Sequence, residues 1–514
     1  MVKAYLGIDL GTSSVKALLL GEHGTVLGDG SAALTFSMPQ PGYAEQSPAD
    51  WWNATIAAVR QAVAACESPP EIGGVGVSGQ MLGSVLIDVD GSAADSCIIW
   101  MDQRASAERD FVEDTLGIDD ILDRTANYPL VSYWAPKLLW LRRNRPSDME
   151  KVRHVLFPKD YLKYRLTSVY DIDVTDATGS MLFNTSRRKW DDSMFERLQI
   201  PREWVPAHAS ESTDIIGIVT KQASEALGIP SGIPVVGGGD QMCGAVGLGV
   251  VKAGIIASTI GTSGCVFSQS DVCVTDREPR ALLSYCHSVP GSWCIYGCTL
   301  SAGGAYQWLR NTFFNNDKVT WDTSGLKHYA FMDGCAAMAA PGCEGLIFLP
   351  YLTGERTPHP DPNARGVFFG LSQRHGISEI CRSVMEGVVF SLRDTVEIFR
   401  SHGVPVTSVQ AAGGGAASPL WRQMQADMFG AQVLTTDVQE APAMGAAILA
   451  AVGCSAYNTV AEASSDIVRI VSTTDPDPGT AQLYNDYYET YRALYPALRG
   501  LYASQSEKTE RWMA

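Results

Sequence analysis

The sequence predicts an α/β protein built as two related domains with a cleft between them, and three observations carry that expectation. At 514 residues the chain exceeds what one hydrophobic core usually supports. Strand-period and helix-period segments alternate along it. A Gly-Thr-Ser tripeptide between apolar strand-like runs occurs twice, at Gly11-Thr12-Ser13 and Gly261-Thr262-Ser263, as expected of two copies of one hairpin design. The boundary is expected between residues 245 and 255, giving domains 1–248 and 249–514.

In the first copy a strand is predicted from Ala4 to Leu10, a tight turn at Gly11-Thr12-Ser13, and a return strand from Val15 to Leu20. A third strand around Thr25 to Leu27 follows the turn Glu22-His23-Gly24 and completes an antiparallel meander. A helix then starts at Ser47, which can cap, with Pro48 at the first helical position and Asp50 near the early N–H groups. Its apolar face is read through Trp52, Ile56 and Val59, and a strand follows at Gly74 to Val77. The second copy runs from Ile255 to Ile260, turns at Gly261-Thr262-Ser263, and leaves through Cys265 to Phe267. A long helix from Ser378 to Arg400, a strand from Val406 to Ala412, the loop Gly413-Gly414-Gly415 and a helix ending near Gly430 follow. After about Asp475 a helical pattern through Tyr484, Tyr488 and Leu494 is expected to pack back on the second domain.

Composition narrows the function. With 46% hydrophobic and 18% charged residues the chain is an ordinary globular one. A formal charge of −17 repels nucleic acid and anionic lipid, so any bound phosphate must be met by backbone N–H groups, a metal ion or a few placed cations. Asp9 interrupts the N-terminus before a signal peptide can develop, so a cytoplasmic location is expected. The stretch from Pro234 to Ser268 is apolar, but Asp240, Lys252 and its glycines argue for strands and turns over a membrane span. The cysteines lack C-x-x-C pairs; the group Cys265, Cys273, Cys286, Cys294 and Cys298 leaves open a zinc site or buried reduced thiols.

Several glycine-rich segments carry the chemistry. Around Gly11, Thr12 and Ser13, successive N–H groups and hydroxyls suit phosphate oxygens, Asp9 at the strand end suits Mg²⁺ held through water, and Lys16 would add a cation if it reaches. The run Val235 to Gly239 delivers Asp240 from an apolar strand, as α/β folds present an acid or base at a crevice. Gly413, Gly414 and Gly415 join a strand to a helix, where backbone can approach a nucleotide and the helix N-terminus favours phosphate. The loops around residues 11, 262 and 414 are expected to converge on one ligand.

These segments, with Gly79-Gln80-Met81-Leu82-Gly83, Trp100-Met101-Asp102-Gln103-Arg104, Ala135 to Trp140, Phe157-Pro158-Lys159-Asp160-Tyr161-Leu162, Gly237 to Gly249 and Phe348 through Gly354-Glu355-Arg356-Thr357-Pro358-His359 to Leu371, resemble the FGGY carbohydrate kinases over nearly the whole chain. Within that family they are most similar to the xylulokinase subfamily. The resemblance implies two actin-like ATPase (ribonuclease H-like) domains with a central cleft, a sugar on the first and Mg·ATP on the second. It implies that Asp240 is the base removing a sugar hydroxyl proton and that Asp9 lies near the metal and phosphates. It further implies that Gly11, Thr12, Ser13, Lys16, Gly261, Thr262, Gly304, Gln307, Gly414, Gly415 and Ser418 line the ATP site, that Gln80, Met81 and Leu82 border the sugar, and that Trp100 and Asp102 stand close behind. A homodimer is implied by resemblance alone. Glu355 and Arg356 are expected to support the fold by pairing with each other.

Two positions depart from that pattern. The subfamily reads Gly-Gln-Met-His-Gly at the sugar loop, whereas Leu82 stands in place of the histidine and cannot hydrogen-bond a sugar hydroxyl. Trp134 precedes Lys137 in a stretch where related kinases have a small or hydroxyl residue. D-xylulose is the expected acceptor, with another ketose, a deoxyketose or a polyol as the alternative. Two rival readings remain on the residues: an ATP-driven, chaperone-like binding protein, and a catalytically silent regulator. Sugar-dependent ADP release separates both from a kinase.

Overall fold

The computed structural model describes residues 3–314 and 325–513. Strands β1 (Lys3–Leu10), β2 (Ser14–Gly21), β3 (Val26–Ala33), β4 (Glu71–Gly79), β5 (Gly217–Ile218) and β6 (Pro234–Gly239) form one sheet in the order β5-β6-β4-β1-β2-β3. The first three make an antiparallel meander, β4 adds in parallel to β1, and β6 adds in parallel to β4. A second sheet has the order β9-β10-β8-β7-β11-β12-β13, from β7 (Gly254–Ile260), β8 (Gly264–Ser270), β9 (Leu283–Cys286), β10 (Trp293–Thr299), β11 (Val406–Gly413), β12 (Gln432–Thr436) and β13 (Ile470–Thr474).

The two sheets repeat one plan down to register. β1 pairs with β4 through a shift between Ala4 and Tyr5, and β7 pairs with β11 through a shift between Gly254 and Ile255. Leu10 then ends opposite Gly79 and Ile260 opposite Gly413, so Asp9 and Thr259 occupy equivalent places, as do Thr12 and Thr262. The loops differ slightly: Leu10 pairs with Val15, Ile260 with Gly264.

Several local expectations change. Ser47 does occupy the N-cap of the helix Pro48–Ala64, but its hydroxyl makes no capping bond, and the buried face runs through Trp51, Trp52, Thr55, Ala58, Val59 and Ala62, with Ile56 only half-buried. Strand β3 extends to Ala33, past the expected short segment. Its glycines concealed the alternation, because they serve packing: a Cβ at Gly28 would stand 2.3 Å from the Ala62 carbonyl oxygen.

The stretch from Pro234 to Ser268 is not all strand and turn, since Asp240–Gly247 is helical. Its glycines permit close helix contact. A Cβ at Gly247 would lie 2.1 Å from the Ala441 oxygen, and one at Gly445 would lie 1.8 Å from the Cys243 oxygen. The helix Ala441–Gly453, late in sequence, also lies on the first sheet, where Gly7 and Gly76 would carry a Cβ 1.9 and 1.8 Å from the Ala443 and Ala446 oxygens. Tyr5, Leu18 and Val236 of the first sheet share a core with Ala443, Ala447 and Ile448. The helix Pro478–Met513 packs Tyr484, Tyr488 and Tyr491 around Phe390 of the long helix Ile377–Ser401, in the second core. Among the described residues no helix is long and apolar enough to cross a membrane.

Candidate active site

Asp240 begins the 240–247 helix at the end of β6 and faces a cavity of about 500 Å³. The opposite wall is the second sheet, through Ala257, Thr259, Cys265, Phe267 and Gly413. The glycines before Asp240 are demanded by packing: a Cβ at Gly237 would sit 2.3 Å from the Val77 oxygen, and one at Gly238 would sit 2.4 Å from Ser288 Oγ. Withdrawal from water, and then the charge of Asp9, push the Asp240 carboxyl up to about 7. Asp9 is itself buried, and burial raises it to about 6 against the Ser78 hydroxyl, which donates to its Oδ1 at 2.9 Å. Lys16 is ion-paired to Glu440, which directly precedes the 441–453 helix, so its ammonium already has a carboxylate partner.

The support beneath Asp240 was not singled out from sequence. Lys159 is fully buried, 2.5 Å from Asp160 and 2.9 Å from both Asp173 and Asp176. Thr175 Oγ1 donates to Asp173 Oδ1 and accepts the N–H of Gly239 at 2.8 Å, linking this charge cluster to the residue before Asp240. The only signal was the 157–162 segment, which carried resemblance but no assigned role.

On the first unit the sugar-loop residues and the first Gly-Thr-Ser turn belong to one network. Gln80 Nε2 donates to Gln46 Oε1 at 2.7 Å, Gln46 Nε2 donates to the Thr12 carbonyl at 2.7 Å, and Trp100 Nε1 donates to Thr12 Oγ1 at 2.9 Å. Trp100 is 43% exposed, leaving an indole available to a ligand. Met81 abuts Gly239, where a Cβ would be 2.9 Å from its sulfur, so the sugar loop touches the residue preceding Asp240. Leu82 sits at φ 69°, left-handed for a branched side chain, with its Cδ2 2.3 Å from a Cβ placed on Gly179. Its carbonyl accepts from Lys137 Nζ at 2.9 Å, and Gly83's accepts from Trp134 Nε1 at 2.7 Å. Trp134, stacked on Phe157 at 3.8 Å, therefore braces the loop. Asp102 is buried, its carboxylate occupied by Arg104 and by the Ala44 N–H at 2.6 Å, so it anchors the segment behind Trp100.

On the second unit the glycines gather around the end of β7. Gly303 N–H donates to the Gly261 oxygen at 2.8 Å and Gly304 N–H to the Thr262 oxygen at 2.9 Å. Gly413 adopts φ 73° where a Cβ would lie 2.6 Å from the Ile260 oxygen, and Gly415 packs on the Ile260 side chain. Gln307 is exposed on the helix Gly303–Leu309, while Ser418 caps the helix Pro419–Phe429. The loops at 262 and 414 thus meet around Ile260, joined by 303–304; the loop at 11–13 stays with Gln80 and Trp100 on the other wall. Glu355 and Arg356 do not pair as expected. The Glu355 carboxylate accepts the N–H groups of Arg356 and Leu300, and the Arg356 guanidinium instead interacts with Cys298, Tyr128 and Tyr296. All twelve cysteines are free, and among the described residues no three His, Cys, Asp or Glu side chains are grouped to hold a metal.

Two repeated α/β units, with the carboxylates of Asp9 and Asp240 at their junction and a glycine-lined wall facing Asp240, define a phosphotransferase of the two-domain actin-like, ribonuclease H-like fold. Residues 4–247 match the N-terminal domain, and 256–454 the C-terminal domain, of the FGGY family of carbohydrate kinases. The chain is 36% identical to a xylulose kinase of Escherichia coli over 97% of this chain and 100% of that one. It is 35% identical to one of Staphylococcus epidermidis over 98% and 99%. The crystal structure of xylulose kinase from Rhodospirillum rubrum, 28% identical, aligns with a TM-score of 0.89 over 97% of this chain and 99% of that one. This chain belongs to the FGGY family of carbohydrate kinases, enzymes that use ATP as co-substrate.

Proposed function

We propose that this enzyme transfers the γ-phosphoryl group of Mg·ATP to a hydroxyl of D-xylulose, binding the sugar on residues 1–248 and the nucleotide on residues 249–514. The observation that carries the reading is the position of Asp240, between the sugar loop that touches Gly239 and the cavity walled by the second sheet. The two full-length relatives support the choice of sugar.

In this reading Asp240 accepts the sugar hydroxyl proton as the oxygen attacks phosphorus, which requires the carboxylate form. Gln80, Met81 and Leu82 border the sugar, and Trp100 offers an apolar face to its carbons. Backbone N–H groups around Gly11, Thr12, Ser13, Gly261, Thr262, Gly414 and Gly415 meet the phosphates, with Gly304, Gln307 and Ser418 toward the rest of the nucleotide. Asp9 fits Mg²⁺: one oxygen takes the Ser78 hydroxyl, and magnesium characteristically binds one or two carboxylates, water and substrate phosphates. When bound, the ion would neutralise charge on the phosphates and relieve the repulsion between Asp9 and Asp240. Closure of the two units excludes water and limits idle ATP hydrolysis.

Leu82 favours a second reading, in which the acceptor is another ketose, a deoxyketose or a polyol, because no hydrogen bond can come from that side chain. Initial rates of ADP release against a panel of these sugars decide between them. The highest kcat/KM on D-xylulose supports the first; a better acceptor replaces it; absence of any acceleration removes the kinase reading in favour of an ATP-driven binding protein.

A further inference from the structure

We propose that Cys265 and Cys298 form a redox-active dithiol in the wall of the cleft, closing to a cross-strand disulfide by exchange with a low-molecular-weight disulfide such as oxidised glutathione. The two residues stand directly opposite each other where β8 pairs antiparallel with β10. Opposed residues share a face of the sheet, and this face also carries Phe267 and Tyr296, while the alternate residues Val266 and Ile295 point to the other face and enter the second core. Cys265 and Phe267 line the cavity that Asp240 faces, so the thiols look toward the cleft.

The ladder geometry decides how close they stand. Cys298 sends its N–H to Thr357 Oγ1 at 3.1 Å, and its carbonyl accepts the Thr357 N–H at 3.1 Å, both on the side away from β8. In an antiparallel ladder a residue directs both backbone groups to the same neighbour, so Cys265 and Cys298 are a non-hydrogen-bonded pair. That is the tighter kind, with Cα atoms about 4.5 Å apart, inside the range of roughly 4.4–6.8 Å that a disulfide spans. The two thiols are close enough to shift each other's titration in opposite directions. Both are half-buried, whereas Cys286 on β9 and Cys294 earlier on β10 are buried.

Their surroundings also divide the roles. The neighbouring Cys265 thiol, and then the Arg356 guanidinium, hold the Cys298 thiol below its ordinary value against the opposing effect of burial, while Cys265 is raised. Cys298 is the attacking thiolate. It displaces one glutathione thiolate from oxidised glutathione and leaves a mixed disulfide. Cys265 then gives its proton to solvent, attacks the Cys298 sulfur and expels the second glutathione thiolate. The protein pair loses two electrons, and one glutathione disulfide becomes two thiols.

The test treats the full chain with oxidised glutathione, blocks remaining thiols with N-ethylmaleimide, and maps unreduced peptides by mass spectrometry. A peptide pair joining Cys265 to Cys298, lighter by two hydrogens than its separate halves and released by dithiothreitol, is the expected product. In Cys265→Ser the mixed disulfide should accumulate on Cys298, and in Cys298→Ser no glutathione should appear on Cys265. Recovery of both residues as maleimide adducts in the wild-type chain after exposure, or a predominant cross-link involving Cys286 or Cys294, overturns the proposal without reliance on any variant.

Discussion

Replacing Asp240 by Asn should stop catalysis while making the ligand-free protein more stable, a combination that a merely structural aspartate would not produce. The carboxyl titrates at about 7 in the fold against 3.8 for an ordinary aspartate. At 1.36 kcal/mol per pH unit that gap corresponds to about 4 kcal/mol, an upper bound because the group faces a cavity open to water. The folded form keeps the proton up to about 7, whereas the unfolded chain releases it near 3.8. Between those values the folded state binds more protons, so Asp240 lowers stability progressively as pH rises from 4 to 7, and the cost is complete above 7. Asn carries no charge and escapes this cost. Asp240→Asn should therefore melt above the wild type at pH 8, with the gap shrinking toward pH 5, while sugar phosphorylation falls by roughly 10²–10⁴-fold, the usual worth of a general base. Scanning fluorimetry across that pH range and a coupled ADP assay read the two effects. Near-normal turnover would refute the base assignment, and a lower melting temperature at pH 8 would refute the electrostatic account.

Lys159→Met leaves Asp160, Asp173 and Asp176 buried without their shared cation and should cost about 3–5 kcal/mol, seen as a lower urea midpoint. Gly445→Ala would place a Cβ 1.8 Å from the Cys243 oxygen and drive the 240–247 and 441–453 helices apart. It should destabilise by about 1–3 kcal/mol and lower kcat, because Asp240 heads one of those helices. Trp100→Ala removes the exposed indole beside Thr12 and should raise KM for the sugar by roughly fivefold, about 1 kcal/mol, with KM for ATP unchanged; equal changes in both would take Trp100 out of the sugar site.

The hairpins, the helix Ile377–Ser401 and the tail were legible because each writes its period into the sequence and ends at a turn residue. What stayed hidden was mostly glycine's doing. Gly237, Gly238, Gly247 and Gly445 look like loop formers in a string of letters, yet each is set by a carbonyl or side chain closer than a Cβ tolerates, information held only by the partner element. That is why Pro234 to Ser268 concealed the 240–247 helix. The Lys159 cluster was illegible for a related reason: a charged residue in sequence reads as surface, and only the arrival of Asp173 and Asp176 from a later segment makes its burial affordable. Asp9 and Asp240 were readable as candidates, since a strand ending in glycines and an acid is informative by itself. The separation of the 11–13 loop from those at 262 and 414 was not, since repeated loops say nothing about which wall each occupies.

That separation gives the duplicated plan its chemical sense. The two copies keep the same register, the same shift and the same Gly-Thr-Ser turn, but where the first has Asp9 the second has Thr259. Thr12 has been drawn into a network with Trp100, Gln46 and Gln80, while the carbonyl of Thr262 receives the N–H of Gly304. At these equivalent positions the carboxylate stands on the first wall and a neutral hydroxyl on the second. An anionic nucleotide approaching a chain of formal charge −17 is repelled least by the wall that offers glycine N–H groups and Thr259. In the proposed reading a neutral sugar has no such quarrel with Asp240 and can lie against it, while Asp9 meets the phosphates only through the magnesium ion. In that reading, divergence at one matched position thus gives the two substrates different walls, and it leaves Asp240 on the wall where a hydroxyl proton is removed.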